Sequence, residues 1–242
     1  MKRLPWEITR EMFLSREEVE LLLRYVRGGG RKPAAAERAM TEQTATERAA
    51  AELDRLIVEV LLFSGIRNSE FCKLRLRDYR KDADGPRLCV IGRADAGRTV
   101  HLPTATAKLL DAYLARARRA ALNKQSVTDG REDDPAELDQ DADAPLFVTE
   151  RGRPFERTGL YRRVVRILTD AGLGERASVQ LLRHTYGYLA YLSTGGNLLF
   201  VQRQLGHAHP MITSIYAQFV DESYTKMADA VARRAGRSQT KP

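Results

Sequence analysis

Arg87-Leu-Cys-Val-Ile91, then Gly92-Arg-Ala-Asp-Ala-Gly97, then Arg98-Thr-Val-His-Leu102 carries the one clear β signal in a chain of 242 residues. Two short β-prone runs flank a connection that opens and closes on glycine, which predicts an antiparallel hairpin. Pro103 ends it, because proline cannot extend a ladder. Outward from the hairpin the patterning is helical. Upstream, Ser15 and Glu18 form a capping box ahead of Val19, Leu21, Leu22, Leu23 and Val26, and Gly28-Gly29-Gly30 stops that helix. Residues 31–46 read as a loose surface connection. A strongly apolar helix spans Glu47 to Phe63 and ends at Ser64-Gly65, and a second begins near Asn68 with Phe71, Cys72 and Leu76. Downstream, Thr104 to Ala121 is helical, 124–145 is an acidic loop insertion, and Pro145-Leu-Phe-Val-Thr149 offers a third strand. Helices follow at about 157–172, 179–194, 197–205 and 221–235, with 221–242 forming a C-terminal helix and tail. The expected fold is mainly α with a small antiparallel β-sheet (α+β), in one domain spanning 1–242 with no internal repeat.

Composition narrows the function classes. Forty Lys+Arg stand against 32 Asp+Glu, for a formal charge of +8. Residues 124–145 hold eight acids and two bases, so this segment sums to −6 and the remainder to +14. A body that basic favours a polyanionic partner such as nucleic acid. Two cysteines, Cys72 and Cys89, exclude a disulfide-stapled scaffold, and no Cys/His spacing suggests zinc. The N-terminus lacks an apolar h-region and the longest apolar run, Leu56 to Gly65, is too short for a bilayer span. The expected location is the cytoplasm, at the nucleoid, with no membrane partner.

Three boxes carry the chemistry: Ser64-Gly65-Ile66-Arg67-Asn68-Ser69-Glu70, Gln180-Leu-Leu-Arg183-His184-Thr185-Tyr186-Gly187, and Leu205-Gly206-His207-Ala-His209-Pro-Met-Ile-Thr213-Ser-Ile-Tyr216. In the second, Gln180 and Arg183 at i, i+3 share one face, and Leu182, Tyr186 and Leu189 form the opposite, core-facing stripe. On these residues the chain resembles the tyrosine recombinase (phage integrase) family over roughly residues 13–235. Gly65, Arg67, Ser69 and Glu70 match the family's first box, Leu182 to Thr185 its second, and Leu205, Gly206, His207, Thr213 and Tyr216 its third, with the tyrosine nine residues after the histidine. Leu14-Ser-Arg-Glu-Glu-Val19 looks like the usual opening of the catalytic domain. The resemblance implies a minimal, catalytic-domain-only member, without the N-terminal domain with which most members clamp DNA.

The implied chemistry is DNA strand breakage and rejoining in site-specific recombination or integration, through a 3′-phosphotyrosine intermediate, with no metal and no cofactor. Tyr216 is the implied nucleophile. A phenol has a pKa of about 10, and its attack builds charge on the phosphate oxygens, which two guanidiniums can meet with charge-assisted hydrogen bonds. Arg67 and Arg183 fit that role, with His207 donating a hydrogen bond, and Arg98 and His184 as further phosphate contacts. The sequence departs from the family twice. Gln180 replaces a histidine, and glutamine orients groups without moving protons. Arg93 occupies the hairpin position of the lysine that protonates the leaving 5′-oxygen, and no lysine occurs between Lys81 and Lys108. Arginine stays charged, so Arg93 contributes electrostatically while water delivers the proton. General-acid catalysis is worth about 10²–10⁴-fold.

Each residue alone has a plainer explanation. Arg67 suits a solvated helix start, Arg183 a surface ion pair, His207 and His209 a loop, and Glu70 a brace for an arginine or a helix cap. Tyr186, Tyr188 and Tyr191 suit core or rim packing. Three ordered boxes argue for the joint reading. The expected partners are double-stranded DNA and further copies of the chain in a tetrameric synapse, with 221–234 packing on a neighbour. The alternatives are a catalytically impaired DNA-binding or regulatory protein that keeps the recombinase fold, and a topoisomerase-like relaxing enzyme.

Overall fold

The computed structural model describes residues 9–29, 45–92, 97–129, 141–207 and 213–219. The first helix, α1 (Arg16–Arg27), starts where its capping box requires. Ser15 Oγ accepts from the Glu18 amide at 3.1 Å, and the Glu18 carboxylate accepts from the Ser15 amide at 2.7 Å. Its buried stripe of Val19, Leu22, Tyr25 and Val26 lies on α2 (Ala45–Ser64).

Helix α2 is the axis of the domain. Leu56, Ile57, Val58, Val60 and Leu62 are completely buried, and a helix apolar around its circumference belongs inside a core. Glu59, at 2% exposure, is tolerated there because Arg27 Nε and Arg55 Nε each donate to its carboxylate at 3.0 Å. After Gly65 the chain makes one helical turn, α3 (Asn68–Phe71), shorter than the helix expected to reach Leu76.

The hairpin forms as β2 (Gly85–Ile91) and β3 (Gly97–His101), with Leu88 opposite Val100 and Cys89 opposite Thr99. Alternation turns Leu88, Val90 and Val100 inward. The third strand is not Pro145–Thr149 but β1 (Tyr79–Asp82), which closes on β2 through a tight turn that pairs Asp82 with Gly85. Pro145 and Pro154 lack an amide proton, and their segment makes only isolated bridges, Arg75 with Pro145 and Val148 with Pro154. β1 escaped notice because its Arg, Lys and Asp sit on an exposed edge.

The helical stretch predicted to end at Ala121 continues instead. Helix α4 (Thr104–Ala112) passes through a π turn (Tyr113–Arg118) into α5 (Arg119–Asp129). The expected acidic loop therefore begins as helix, held by Ala121 and Leu122 burying against Val148. Helices α6 (Arg157–Asp170), α7 (Val179–Ser193) and α8 (Leu198–Leu205) complete the framework, followed by a 3-10 turn at Ile215–Phe219. Helices α1, α4, α6 and α7 surround α2, while α8 lies on β3 and α7. A second, smaller core gathers Phe13, Tyr186, Ala190, Val201, Leu205 and Tyr216. Most of 31–46, the acidic 130–140 and the expected helix at 221–235 lie outside the described residues. No described helix is long and apolar enough to cross a membrane.

Candidate functional site

An open cleft of about 1850 Å³ runs between α3, the hairpin and α8, with Arg67, Arg98, Gln180 and His207 in its lining. Sequence-distant boxes meet there because short local devices aim each one. Gly65 takes a positive φ of 63°, and a β-carbon at this position would strike the Tyr186 ring and Leu205. That turn delivers Arg67 to the N-cap of α3.

Glu70 organises the cleft wall. Its carboxylate accepts from the Arg67 amide at 2.7 Å and from Arg67 Nη1 at 2.8 Å. Arg98 Nη1 and Nη2 grip the same two oxygens from β3, both at 2.8 Å. Burial alone would raise the Glu70 pKa, but the hydrogen bonds from Arg98 and Arg67 and their charge hold it down at about 2. Arg98 Nε also donates to the Gln204 carbonyl at 3.0 Å, and the Gln204 side-chain oxygen accepts from the His101 amide at 3.1 Å. β3 is thereby bolted to both α3 and α8.

Arg183 lies beneath the cleft, 3% exposed. Its Nη1 donates to the Gly65 carbonyl at 2.5 Å and its Nη2 to the Leu205 carbonyl at 2.6 Å, so the arginine of the second box ties the main chains of the first and third. Burial, then the Arg67 charge, press its pKa down, yet a guanidinium remains charged near neutral pH. His207 follows α8, its Nδ1 3.0 Å from Thr213 Oγ1. Burial and the cations of Arg183 and Arg67 lower its pKa to about 3, so the ring is neutral.

Tyr216 is completely buried in the second core. Burial pushes its pKa up to about 12, against the pull of Arg183. Its hydroxyl oxygen lies 3.1 Å from His184 Nδ1, and the Gln180 side-chain amide donates to His184 Nε2 at 3.0 Å. With Nε2 accepting, Nδ1 holds the imidazole proton and donates it to the Tyr216 oxygen. Burial, then Arg183, hold the His184 pKa at about 4, which keeps that ring uncharged. The tyrosine ring lies against Gly187 so closely that a β-carbon there would collide with it.

Of the residues singled out in the sequence, Arg67, Arg98, Gln180 and His207 line the cleft, while Arg183, His184 and Tyr216 lie below it. Arg183 sits within electrostatic reach of both Arg67 and Tyr216. Arg98 is committed to Glu70 and His184 faces the tyrosine. Arg93, His209 and the 221–234 segment lie outside the described residues. Sequence reading missed Gln204 and also Lys73, which is in the cleft lining, and gave Gly187 of the second box no role. A glutamine three residues after Val201 and directly ahead of Leu205-Gly206, on the apolar stripe of its helix, was the available signal for the first.

The architecture, a helical domain with a three-stranded antiparallel sheet, is one shared with DNA-bound site-specific recombinases among solved structures. The structure of the XerH site-specific recombinase bound to a palindromic difH substrate, a post-cleavage complex, matches with a TM-score of 0.62 at 25% identity, covering 91% of this chain and 52% of that one. The family model described as the phage integrase family matches residues 32–223, and the chain belongs to that family. The tyrosine recombinase XerC of Lactobacillus delbrueckii subsp. bulgaricus is 29% identical over 163 residues, which is 67% of this chain and 49% of that protein. The tyrosine recombinase XerH of Helicobacter pylori is 28% identical over 167 residues, 69% and 41% of the two chains. The chain thus spans about half the length of these relatives.

Proposed function

We propose that this chain is a site-specific recombinase or integrase that breaks and rejoins double-stranded DNA through a 3′-phosphotyrosine formed on Tyr216. The observation that carries the reading is the double tie of Arg183 to Gly65 and Leu205, which draws three boxes around one point. Arg67 and Arg183 meet the non-bridging oxygens of the scissile phosphate and stabilise the charge that grows in the transition state. His207 donates its single imidazole proton to the same group. Gln180 orients, and Arg93 adds positive potential from the hairpin connection. The Tyr216 oxygen attacks phosphorus, the 5′-oxygen leaves, and the phosphotyrosine conserves the bond for religation. No metal or cofactor enters these steps.

Tyr216 leaves its buried seat for the attack, since its ring is fully buried and outside the cleft lining. Exchange between two duplexes breaks four strands, one per nucleophile, so the active assembly is a tetramer on two DNA sites, at the nucleoid. Similarity to a tyrosine recombinase and to a site-specific recombinase seen bound to its DNA substrate after cleavage supports this reading.

The test offers a nicked suicide duplex and resolves products on a denaturing gel. A protein–DNA adduct is expected with the native chain and none with Tyr216→Phe. A native chain that retains the duplex yet never forms an adduct would reduce the function to DNA binding. Relaxation of plasmid without partner sites would instead support the topoisomerase-like activity.

A further inference from the structure

Among the described residues the cleft lining holds one lysine, and none of the three boxes supplies it. Lys73 lines the cleft together with Arg67, Arg98 and His207. Its amide donates to the Glu70 carbonyl at 3.0 Å, so it follows by one turn the residue whose carboxylate pins the two arginines. The Lys73 side chain is exposed, and its ammonium has no ion-pair partner among the described residues. Lys81, by contrast, is held by Asp111 at 2.7 Å and lies outside the cleft lining, as does Lys108.

Strand cleavage requires a proton for the departing 5′-oxygen. The guanidiniums of Arg67, Arg98 and Arg183 do not release one near neutral pH. His207 is a neutral ring engaged with Thr213. The hairpin connection from Gly92 to Gly97 contains Arg93 and no lysine. Lys73 brings the one ammonium among the described residues of the lining, a group able to release a proton to a departing oxygen.

We propose that Lys73 is a catalytic residue, the donor of the proton to the 5′ leaving oxygen during cleavage by Tyr216. This rests on the recombinase reading above. As the bond between Tyr216 Oη and phosphorus forms, the bond between phosphorus and O5′ breaks and its electron pair stays on O5′. That oxygen takes a proton from Lys73 Nζ, and the phenolic proton passes to solvent water. In religation the neutral amine of Lys73 takes the proton back from the attacking 5′-hydroxyl.

The experiment compares two suicide duplexes, one with oxygen and one with sulfur at the 5′-bridging position of the scissile phosphate. A thiol has a pKa of about 8.5, so a thiolate leaves without help. Lys73→Ala should slow adduct formation on the oxygen duplex by about 10²–10⁴-fold and restore near-native rates on the sulfur duplex. Lys73→Arg, which keeps the charge but lacks a labile proton, should behave the same way. Both variants should melt as the native chain does, because the side chain is exposed. Equal slowing on both duplexes would make Lys73 a phosphate anchor, and native rates on oxygen would make it idle, and either result overturns the proposal. Absence of an adduct with the native chain on either duplex would instead remove the parent reading.

Discussion

Glu70 has no place in bond-making, yet the cleft wall depends on it. One carboxylate, 5% exposed, holds the side chain and amide of Arg67 and both terminal nitrogens of Arg98. Removing one partner of a buried pair leaves the other uncompensated, at a cost of several kcal/mol. Arg98 is the side chain at stake, because it is 13% exposed whereas Arg67 is 42% exposed and can turn to water. Glu70→Gln preserves shape and removes charge. We expect it to lower stability by about 3 kcal/mol in urea unfolding and to slow adduct formation, as Arg67 loses its fixed direction. A loss under about 0.5 kcal/mol, the range of an ordinary surface change, would mean the pair is loosely held. The bracing role was legible in the sequence, where an acid follows an arginine by three residues across a helix start. Its second arginine was not, because Arg98 arrives from a strand 28 residues away.

Helix α7 shows where pattern reading succeeds and stops. Its extent and its apolar stripe follow from the spacing of Leu182 and Tyr186, both buried as expected. The hairpin was equally clear, since β-branched alternation needs no long-range information. Arg183 is different. Composition marks it as a surface residue, but its partners are main-chain carbonyls 118 and 22 positions away, and carbonyls leave no trace in residue identity. The same holds for Gly187, whose reason is the ring of Tyr216. In an isolated helix, Gly187→Ala would gain about 1 kcal/mol. Here the added methyl group meets Tyr216, so we expect the substitution to destabilise the fold. In a Tyr216→Ala background the sign should reverse. A double-mutant cycle in urea measures this directly, and additive effects would show that ring and helix do not touch.

Across the whole molecule, three ionisable groups near the cleft share one direction of pH response. His184 and His207 have pKa values lowered to about 4 and about 3, so between those values and 6.5 the unfolded chain binds more protons than the folded one. Stability therefore falls as pH drops below about 6.5. Glu70, held at about 2, adds a loss that begins as pH drops below about 4.5. Melting temperature should decline steadily from pH 7 to pH 4, and His184→Gln should flatten the part below 6.5. A melting temperature constant over that interval would contradict the buried, neutral state of both rings. The division into two apolar clusters, one around α2 and one around Tyr216, was not legible in the sequence, because both draw on α7 and no break in composition separates them. The tie made by Arg183 has a separate consequence. The side chain proposed to grip phosphate also staples together the segments that form the site, so mutational drift at this codon is penalised through folding yield as well as turnover. A lineage that abandoned recombination but kept the domain for another purpose would still be under pressure to retain that arginine, while Tyr216→Phe would be among the cheapest routes to silence.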